Sequence, residues 1–366
     1  MISIIVPTFN EKGNVFKIAE RISKVLSEGI AYEIIFVDDS TDETPEILDQ
    51  LARLNHHVRY IHRAGERGLG TAVVRGFELA QGEVIAVMDA DLQHPPEMIM
   101  PMLKTIESGV DIVIPSRFVP GGDDGGLNII RKFISATARY TGKFMLKALR
   151  GISDPTSGFF MFRQSVIRGI LLKPIGWKIL IEVLVKGNYE NVVEIPYHFK
   201  ARAAGESKMS LKEQRNYLYH LVILTKDSPV DRRFYLFALV GLSGMFLNMS
   251  VYTFLYHMKV NVALAGTISA FVAMISNFIL NDRYTWSEIR ESAKIKRFCK
   301  FLMTSSVGAI IDVNILSVLY YVFHINYFLA NILGILSGTL WNFTINNIWT
   351  WQKTDKNKKI INKLYY

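Results

Sequence analysis

The last third of the chain does most to fix its architecture, because charge all but vanishes from it in four long stretches. Phe234–Tyr256 and Val260–Asn281 carry no formal charge, Phe301–Phe323 carries Asp312 alone, and His324–Gln352 carries none. Each reaches the roughly 20 residues that a helix needs to cross a hydrocarbon core. Inside a bilayer the backbone must satisfy its own hydrogen bonds, so helices are the expected form. Four transmembrane helices are predicted, at 234–256, 260–281, 301–323 and 325–350, in a membrane region spanning 234–352. Of 366 residues, 50% are hydrophobic and only 20% charged, which excludes a disordered chain and argues against a purely soluble one.

The formal net charge of +9 resembles a nucleic-acid signature until it is divided. Residues 1–225 hold 27 Lys and Arg against 26 Asp and Glu, whereas residues 226–366 hold 15 against 7. The excess therefore flanks the apolar stretches. Lys226, Arg232 and Arg233 precede the first, and Arg283, Arg290, Lys294, Lys296, Arg297 and Lys300 lie between the second and third. Lys353, Lys356, Lys358, Lys359 and Lys363 fill the tail 353–366, while the other two turns offer only Lys259. The positive-inside rule then predicts that both termini and the middle loop are cytoplasmic, with no nucleic-acid partner required. The opening Met1-Ile-Ser-Ile-Ile-Val-Pro7 lacks a basic leader region and reads as a buried strand rather than a signal peptide. Cys299 is the only cysteine, which rules out a disulfide framework.

The membrane region repeats itself. Asn277-Phe-Ile-Leu-Asn-Asp-Arg-Tyr-Thr-Trp286 aligns with Asn342-Phe-Thr-Ile-Asn-Asn-Ile-Trp-Thr-Trp351, and Gly244 and Asn248 align with Gly308 and Asp312. A parallel duplication of a two-helix hairpin is expected. Asp312 is costly at mid-membrane and hence a functional candidate. With Asn248, Asn277, Asn314 and Asn342, interhelical hydrogen-bond glue is the favoured reading.

Residues 1–210 read differently. Short β-branched runs at 2–6, 33–37, 58–62, 84–88 and 111–115 alternate with helical stretches at 14–28, 44–55, 71–81 and 96–108. That alternation predicts an α/β domain built on a mostly parallel, Rossmann-like sheet, whose ligands sit at the carboxyl ends of strands. Acids occupy those ends: Glu11 after the first, Asp39 after the second, Asp89 and Asp91 after the fourth. In Asp89-Ala-Asp91-Leu-Gln93 one carboxylate suits a nucleotide and the other a hard divalent cation, Mg²⁺ or Mn²⁺, with Gln93 adding an amide oxygen. A solvated turn is the plain alternative for a bare D-x-D. Arg67-Gly-Leu-Gly70 is a turn ahead of a helix that could approach the same pocket.

Taken together, Val6-Pro-Thr-Phe-Asn-Glu11, Val37-Asp-Asp-Ser-Thr-Asp42, Asp89-Ala-Asp-Leu-Gln-His-Pro-Pro96 and Ser157-Gly-Phe-Phe160 resemble glycosyltransferase family 2. The resemblance is narrower to its polyprenyl-phosphate hexosyltransferases, most of all the dolichol-phosphate mannose synthases, and the apolar half resembles a GtrA-like membrane domain. It implies a GT-A type nucleotide-diphospho-sugar transferase fold. It also implies metal-dependent, inverting transfer of mannose from GDP-mannose to dolichyl (polyprenyl) phosphate. Pro7, Phe9, Glu11, Val37, Asp39, Asp89 and Ala90 would hold the guanosine diphosphate moiety. Asp91 and Gln93 would ligate the metal, and Arg117 would lie beside sugar and phosphates. Lys178, Arg202 and Lys208 would close over the donor. Phe9 is often Tyr in relatives, so a hydroxyl contact is lost there.

The acceptor side also has a signal in the residues themselves. No acid occurs between Asp124 and Asp154, whereas Arg131, Lys132, Arg139, Lys143, Lys147 and Arg150 do. Arg131, Ser135 and Arg139 share a helical face, and the resemblance assigns Arg131 and Ser135, with Arg117, to the acceptor phosphate. Residues 211–233 are expected to form interfacial amphipathic helices, with a domain-packing helix as the alternative. A UDP-glucose:undecaprenyl-phosphate enzyme and a carrier for lipid-linked sugars remain as rival functions, and association of like copies is left open.

Overall fold

The computed structural model describes residues 1–26, 29–123, 129–199, 211–289 and 292–351, and divides into two compact units, Met1–Ser228 and Pro229–Tyr366. The first unit is built on a seven-stranded sheet in the order β3-β2-β1-β4-β6-β5-β7. Its strands are β1 (Ile2–Thr8), β2 (Tyr32–Asp38), β3 (Val58–His62), β4 (Val84–Val87), β5 (Ile112–Ser116), β6 (Phe160–Arg163) and β7 (Val192–Pro196). Every residue of β1 and β2 is buried, as expected for parallel strands covered on both faces. β6 alone runs antiparallel, inserted between β4 and β5. The sheet is mostly parallel, as the alternation of elements predicts; β6 and β7 are additions to the five strands legible in sequence.

The helices are α1 (Val15–Leu26), α2 (Thr44–Leu54), α3 (Leu69–Leu79), α4 (Ile99–Glu107), α5 (Ile129–Met145), α6 (Ile179–Lys186) and α7 (Leu211–Asp227). α1 buries Val15, Ile18, Ala19, Ile22 and Leu26, and α4 buries Ile99, Met102, Leu103 and Ile106. Both show the spacing of three and four that lays one apolar stripe on a sheet. α7 packs onto the domain, the alternative reading for it. Tyr217, Leu221 and Leu224 join the core, with the Tyr217 hydroxyl donating to the α5 carbonyl of Ala138 at 2.7 Å. Leu218, Tyr219 and Val222 face outward, as do Tyr140 and Phe144 of α5.

The second unit contains α8 (Pro229–His257), α9 (Val262–Leu280), α10 (Lys294–Ser317) and α11 (Tyr327–Ile345). With their π-helical extensions, four helical spans of 24 to 29 residues are long and apolar enough to cross a membrane. α8 begins five residues before the predicted span and takes in Arg232 and Arg233, which both pair with Glu288. The duplication is visible in three dimensions. π-helical turns at Asn281–Thr285 and Asn346–Thr350 deliver Trp286 and Trp351 into a face-to-face stack, with ring centroids 4.3 Å apart and planes within 3°. The indoles exchange equivalent bonds: Trp351 Nε1 donates to Asp282 Oδ1 at 3.0 Å and Trp286 Nε1 to Asn347 Oδ1 at 3.2 Å.

One expectation needs correcting. Asn277 and Asn342 fill notches left by Gly244 and Gly308, where any Cβ would collide with the amides. Among the described residues their Oδ1 atoms have no hydrogen-bond partner, and Asn314 bonds within its own helix to Ile310 O at 2.8 Å. These asparagines act by close packing of small against polar residues rather than as hydrogen-bond glue. Asp312 likewise packs against Gly334 and Gly338.

Candidate functional site

β1 pairs with β2 on one side and β4 on the other, so the chain changes direction across the sheet at the β1/β4 boundary. That is where open α/β sheets leave a crevice at their carboxyl ends. Pro7 and Val37, both expected to contact nucleotide, lie opposite each other in the β1–β2 register. Beyond them the two loops are laced together. Asn10 N–H donates to Ser40 Oγ (2.7 Å), Thr41 N–H to Asn10 Oδ1 (2.9 Å) and Glu11 N–H to Thr44 Oγ1 (3.1 Å). Glu11 also accepts from Asn14 Nδ2 at 2.7 Å.

Behind this rim lies a charge pair. Asp39 accepts from Arg63 Nε (2.8 Å) and Nη2 (2.6 Å), and from the Gly68 amide (2.9 Å). Arg63 also donates to Gly68 O, Thr71 Oγ1 and Glu66, and both its side chain and that of Asp39 are almost wholly buried. A buried pair with its remaining protons satisfied avoids the several kcal/mol that a lone buried charge would cost. The same network fixes the Gly68–Gly70 turn, and the Arg67 guanidinium stands 4.3 Å over the Phe9 ring. The glycine turn therefore lies beside Phe9, at the end of β1.

The Asp89–Gln93 loop follows β4. Ala90 and Asp91 are buried, and the Gln93 amide donates to Asp91 Oδ1 at 3.1 Å. Leu92 sits between them at φ 61°, a left-handed conformation that costs an aliphatic side chain about 1–3 kcal/mol. Its neighbours hold it there. Asp89 N–H donates to His94 Nδ1 (3.3 Å), so that nitrogen carries no proton, and burial pulls the imidazole down to about 4. The neutral ring stacks on Phe159 at 5.2 Å, and Nδ1 lies 3.8 Å from Asp89 Oδ2 without an ionic contact. Gly158 packs so closely that a Cβ there would fall 2.9 Å from Asp89 Oδ2.

Asp91 and Gln93 supply the hard oxygen donors that suit Mg²⁺ or Mn²⁺. Among the described residues no group of three His, Cys, Asp or Glu could enclose a metal. The donor set therefore fits an ion whose shell is completed by phosphate oxygens and water, as small hard cations prefer.

Opposite the acids lies a basic wall. Arg117, just past β5, donates from Nε to Oδ2 of Asp154 at 2.9 Å, with Nη2 in ionic contact with the same oxygen at 2.7 Å. Lys178, ahead of α6, donates to Thr156 O at 2.6 Å and stands 3.9 Å over Trp177; burial lowers its pKa to about 8. On α5, Arg139 lies 3.5 Å over Phe118 and donates to Ser153 O at 3.2 Å, one turn beyond Ser135. The Arg131 side chain, and Arg202, Lys208 and the tail 353–366, lie outside the described residues. Asp91, Arg117, Asp154 and Lys178 all act electrostatically on His94, and Asp154, Arg117 and Asp89 on Lys178. Acid rim and basic wall thus share one site.

Two residues in it escaped the sequence reading. Arg63 follows β3, where the strand-end rule used for the other strands would have flagged it. Asp154 is the acid that ends the acid-free stretch, and it stands just before the quoted Ser157-Gly158 motif.

Residues 3–171 match the family model described as glycosyl transferase family 2, and residues 236–351 match the GtrA/DPMS transmembrane domain. A dolichol-phosphate mannosyltransferase of Pyrococcus furiosus is 39% identical over 351 residues, covering 96% of this chain and 99% of that protein. The Saccharomyces cerevisiae dolichol-phosphate mannosyltransferase is 37% identical over 231 residues, covering 60% of this chain and 85% of the yeast protein. A polyprenol monophosphomannose synthase of Mycolicibacterium smegmatis is 34% identical over 239 residues, covering 63% and 88%.

Proposed function

Since the chain belongs to glycosyltransferase family 2, as an integral membrane enzyme with a GtrA-type domain, we propose that it moves mannose from GDP-mannose to dolichyl or another polyprenyl phosphate. The observation that carries this reading is the full-length likeness to a mannosyltransferase in a chain whose acid rim and basic wall meet at the sheet's switch point. In it, Pro7, Phe9, Glu11, Val37, Asp39, Asp89 and Ala90 cradle the nucleotide. Asp91 and Gln93 hold a divalent cation, which when bound stabilises charge on the departing diphosphate.

The acceptor is a phosphate monoester, ionised near neutral pH because its second pKa is about 6. No general base is needed to create the nucleophile. What the chain must supply is position, and relief of the repulsion between two anionic substrates. Arg117 and Lys178, with Arg202 and Lys208, serve the donor; Arg117, Arg131 and Ser135 serve the lipid phosphate. Displacement in line would invert the anomeric centre. The outward Leu218, Tyr219 and Val222 of α7, with Tyr140 and Phe144 of α5, support an apolar face beside the membrane surface. The flanking lysines and arginines support a cytoplasmic catalytic unit.

Membranes containing the protein, incubated with radiolabelled GDP-mannose or UDP-glucose and then extracted with organic solvent, test the assignment. Label is expected in the lipid phase from GDP-mannose only. Label from UDP-glucose alone would move the assignment to a glucosyltransferase, and none from either would refute it. Asp91→Ala is expected to abolish transfer while the protein stays folded and in the membrane.

A further inference from the structure

Segment Ser153–Gly158 touches the basic wall and the acid rim together. Ser153 O accepts from Arg139, Asp154 from Arg117 and Thr156 O from Lys178, while Gly158 lies against Asp89. Asp154 is the centre of it. Its side chain is wholly buried; Arg117 Nε donates to Oδ2 with Nη2 in ionic contact with that same oxygen, and Thr156 Oγ1 donates to Oδ1 at 3.2 Å. The backbone is fixed as well. Glu194, on β7, accepts from Ser153 N–H (2.6 Å) and Asp154 N–H (2.9 Å), anchoring the segment to the sheet. Arg117 is flanked by Phe118 and Phe199, each 5.1 Å from its guanidinium carbon. Among the described residues its Nη1 has no hydrogen-bond partner.

We propose that Asp154 is the positioning residue of Arg117: it grips one edge of the guanidinium and leaves Nη1 as the edge offered to substrate phosphate. The proposal rests on the transferase reading above and adds to it a division of labour. A guanidinium neutralised by a buried carboxylate contributes aim more than net charge. The positive charge that offsets the substrates then falls chiefly to Lys178, with Arg202 and Lys208. It also accounts for a buried acid in a reaction whose nucleophile needs no base. A carboxylate with both oxygens engaged by donors is a support for its partner, and Glu194 supports the support.

A double-mutant cycle separates this from a merely structural role. Asp154→Asn keeps size and shape and releases the grip; about a hundredfold loss in kcat is expected, the scale of a misplaced group. Adding Asp154→Asn to Arg117→Ala is expected to cost less than a further threefold, because the residue it acts through is already gone. Effects that multiply would overturn the proposal, as would an unchanged kcat in Asp154→Asn. Should Asp154→Asn fail to fold, Glu194→Gln takes its place in the same cycle, with a smaller first loss and the same non-additivity expected. Calorimetric binding of GDP with Mn²⁺ to the full-length protein, with the same variants, gives a second reading. If wild-type protein transfers no mannose, the functional assignment fails, while coupled losses in GDP affinity still decide whether Asp154 acts through Arg117.

Discussion

The site contains two buried arginine–carboxylate pairs of different design. Beside Phe9 both partners are engaged: Arg63 gives its donors to Asp39, Gly68, Glu66 and Thr71, and Asp39 accepts on both oxygens. On the basic wall Asp154 is consumed, and what the pair presents is the arginine. The electrostatic cost of burial is met in the same way in both. What differs is the arginine: Arg63 is fully engaged, whereas Arg117 keeps Nη1 without a hydrogen-bond partner among the described residues. In the proposed reading Asp39 stands on the nucleotide side as a fixed carboxylate, and Arg117 turns its remaining edge to phosphate oxygens.

Removing either arginine leaves a carboxylate buried without its cation, so Arg63→Met and Arg117→Met should each lower stability by about 3–5 kcal/mol in chemical denaturation. The comparison sharpens in the kinetics. Arg63→Met should raise KM for the nucleotide sugar about tenfold or more with little change in kcat, and Arg117→Met should act mainly on kcat. Identical kinetic signatures would erase the distinction between the pairs.

Among the described residues Lys178 has no carboxylate of its own to hold it, and its titration tests the basic wall. With its pKa at about 8, kcat/KM of the free enzyme should fall above pH 8, approaching tenfold per pH unit as the ammonium is lost. Stability moves the other way. The unfolded chain keeps that proton up to the ordinary lysine value of 10.5, so this group's share of stability rises between pH 8 and 10.5. A base limb in activity that Lys178→Met removes, without a matching fall in melting temperature, is the expected result.

The smallest effect belongs to the Asp89–Gln93 loop. Leu92→Gly relieves a left-handed backbone but loosens the unfolded chain, so stability should shift by no more than about 1 kcal/mol. Metal-dependent activity should fall severalfold as Asp91 and Gln93 lose their shared register, measured as the Mn²⁺ concentration at half-maximal rate.

Much of the architecture was legible because it rests on period and punctuation: β-branched runs, acids at strand ends, and four stretches without charge. β6 escaped because Phe160-Met-Phe-Arg163 is short and its antiparallel insertion depends on partners distant in sequence. The candidate site was legible where a residue type announces its chemistry, and the structure brings Asp89, Asp91 and Arg117 near one buried imidazole, His94. It was opaque where a residue works through another. Nothing local to Asp154 says that it will meet Arg117, 37 positions away, and nothing local to Arg63 says that it will hold Asp39.

The stacked Trp286 and Trp351 carry a further meaning. Each indole reaches across to the residue that occupies the other's equivalent place, so a single hairpin bearing this motif could have closed around an identical copy of itself by the same two bonds. Joined in one polypeptide, the copies no longer have to match. The first now holds an acid, Asp282, anchored by Arg297, and the second a neutral Asn347. The stack is the seam at which the two halves differ, a charged acceptor on one side and a neutral amide on the other.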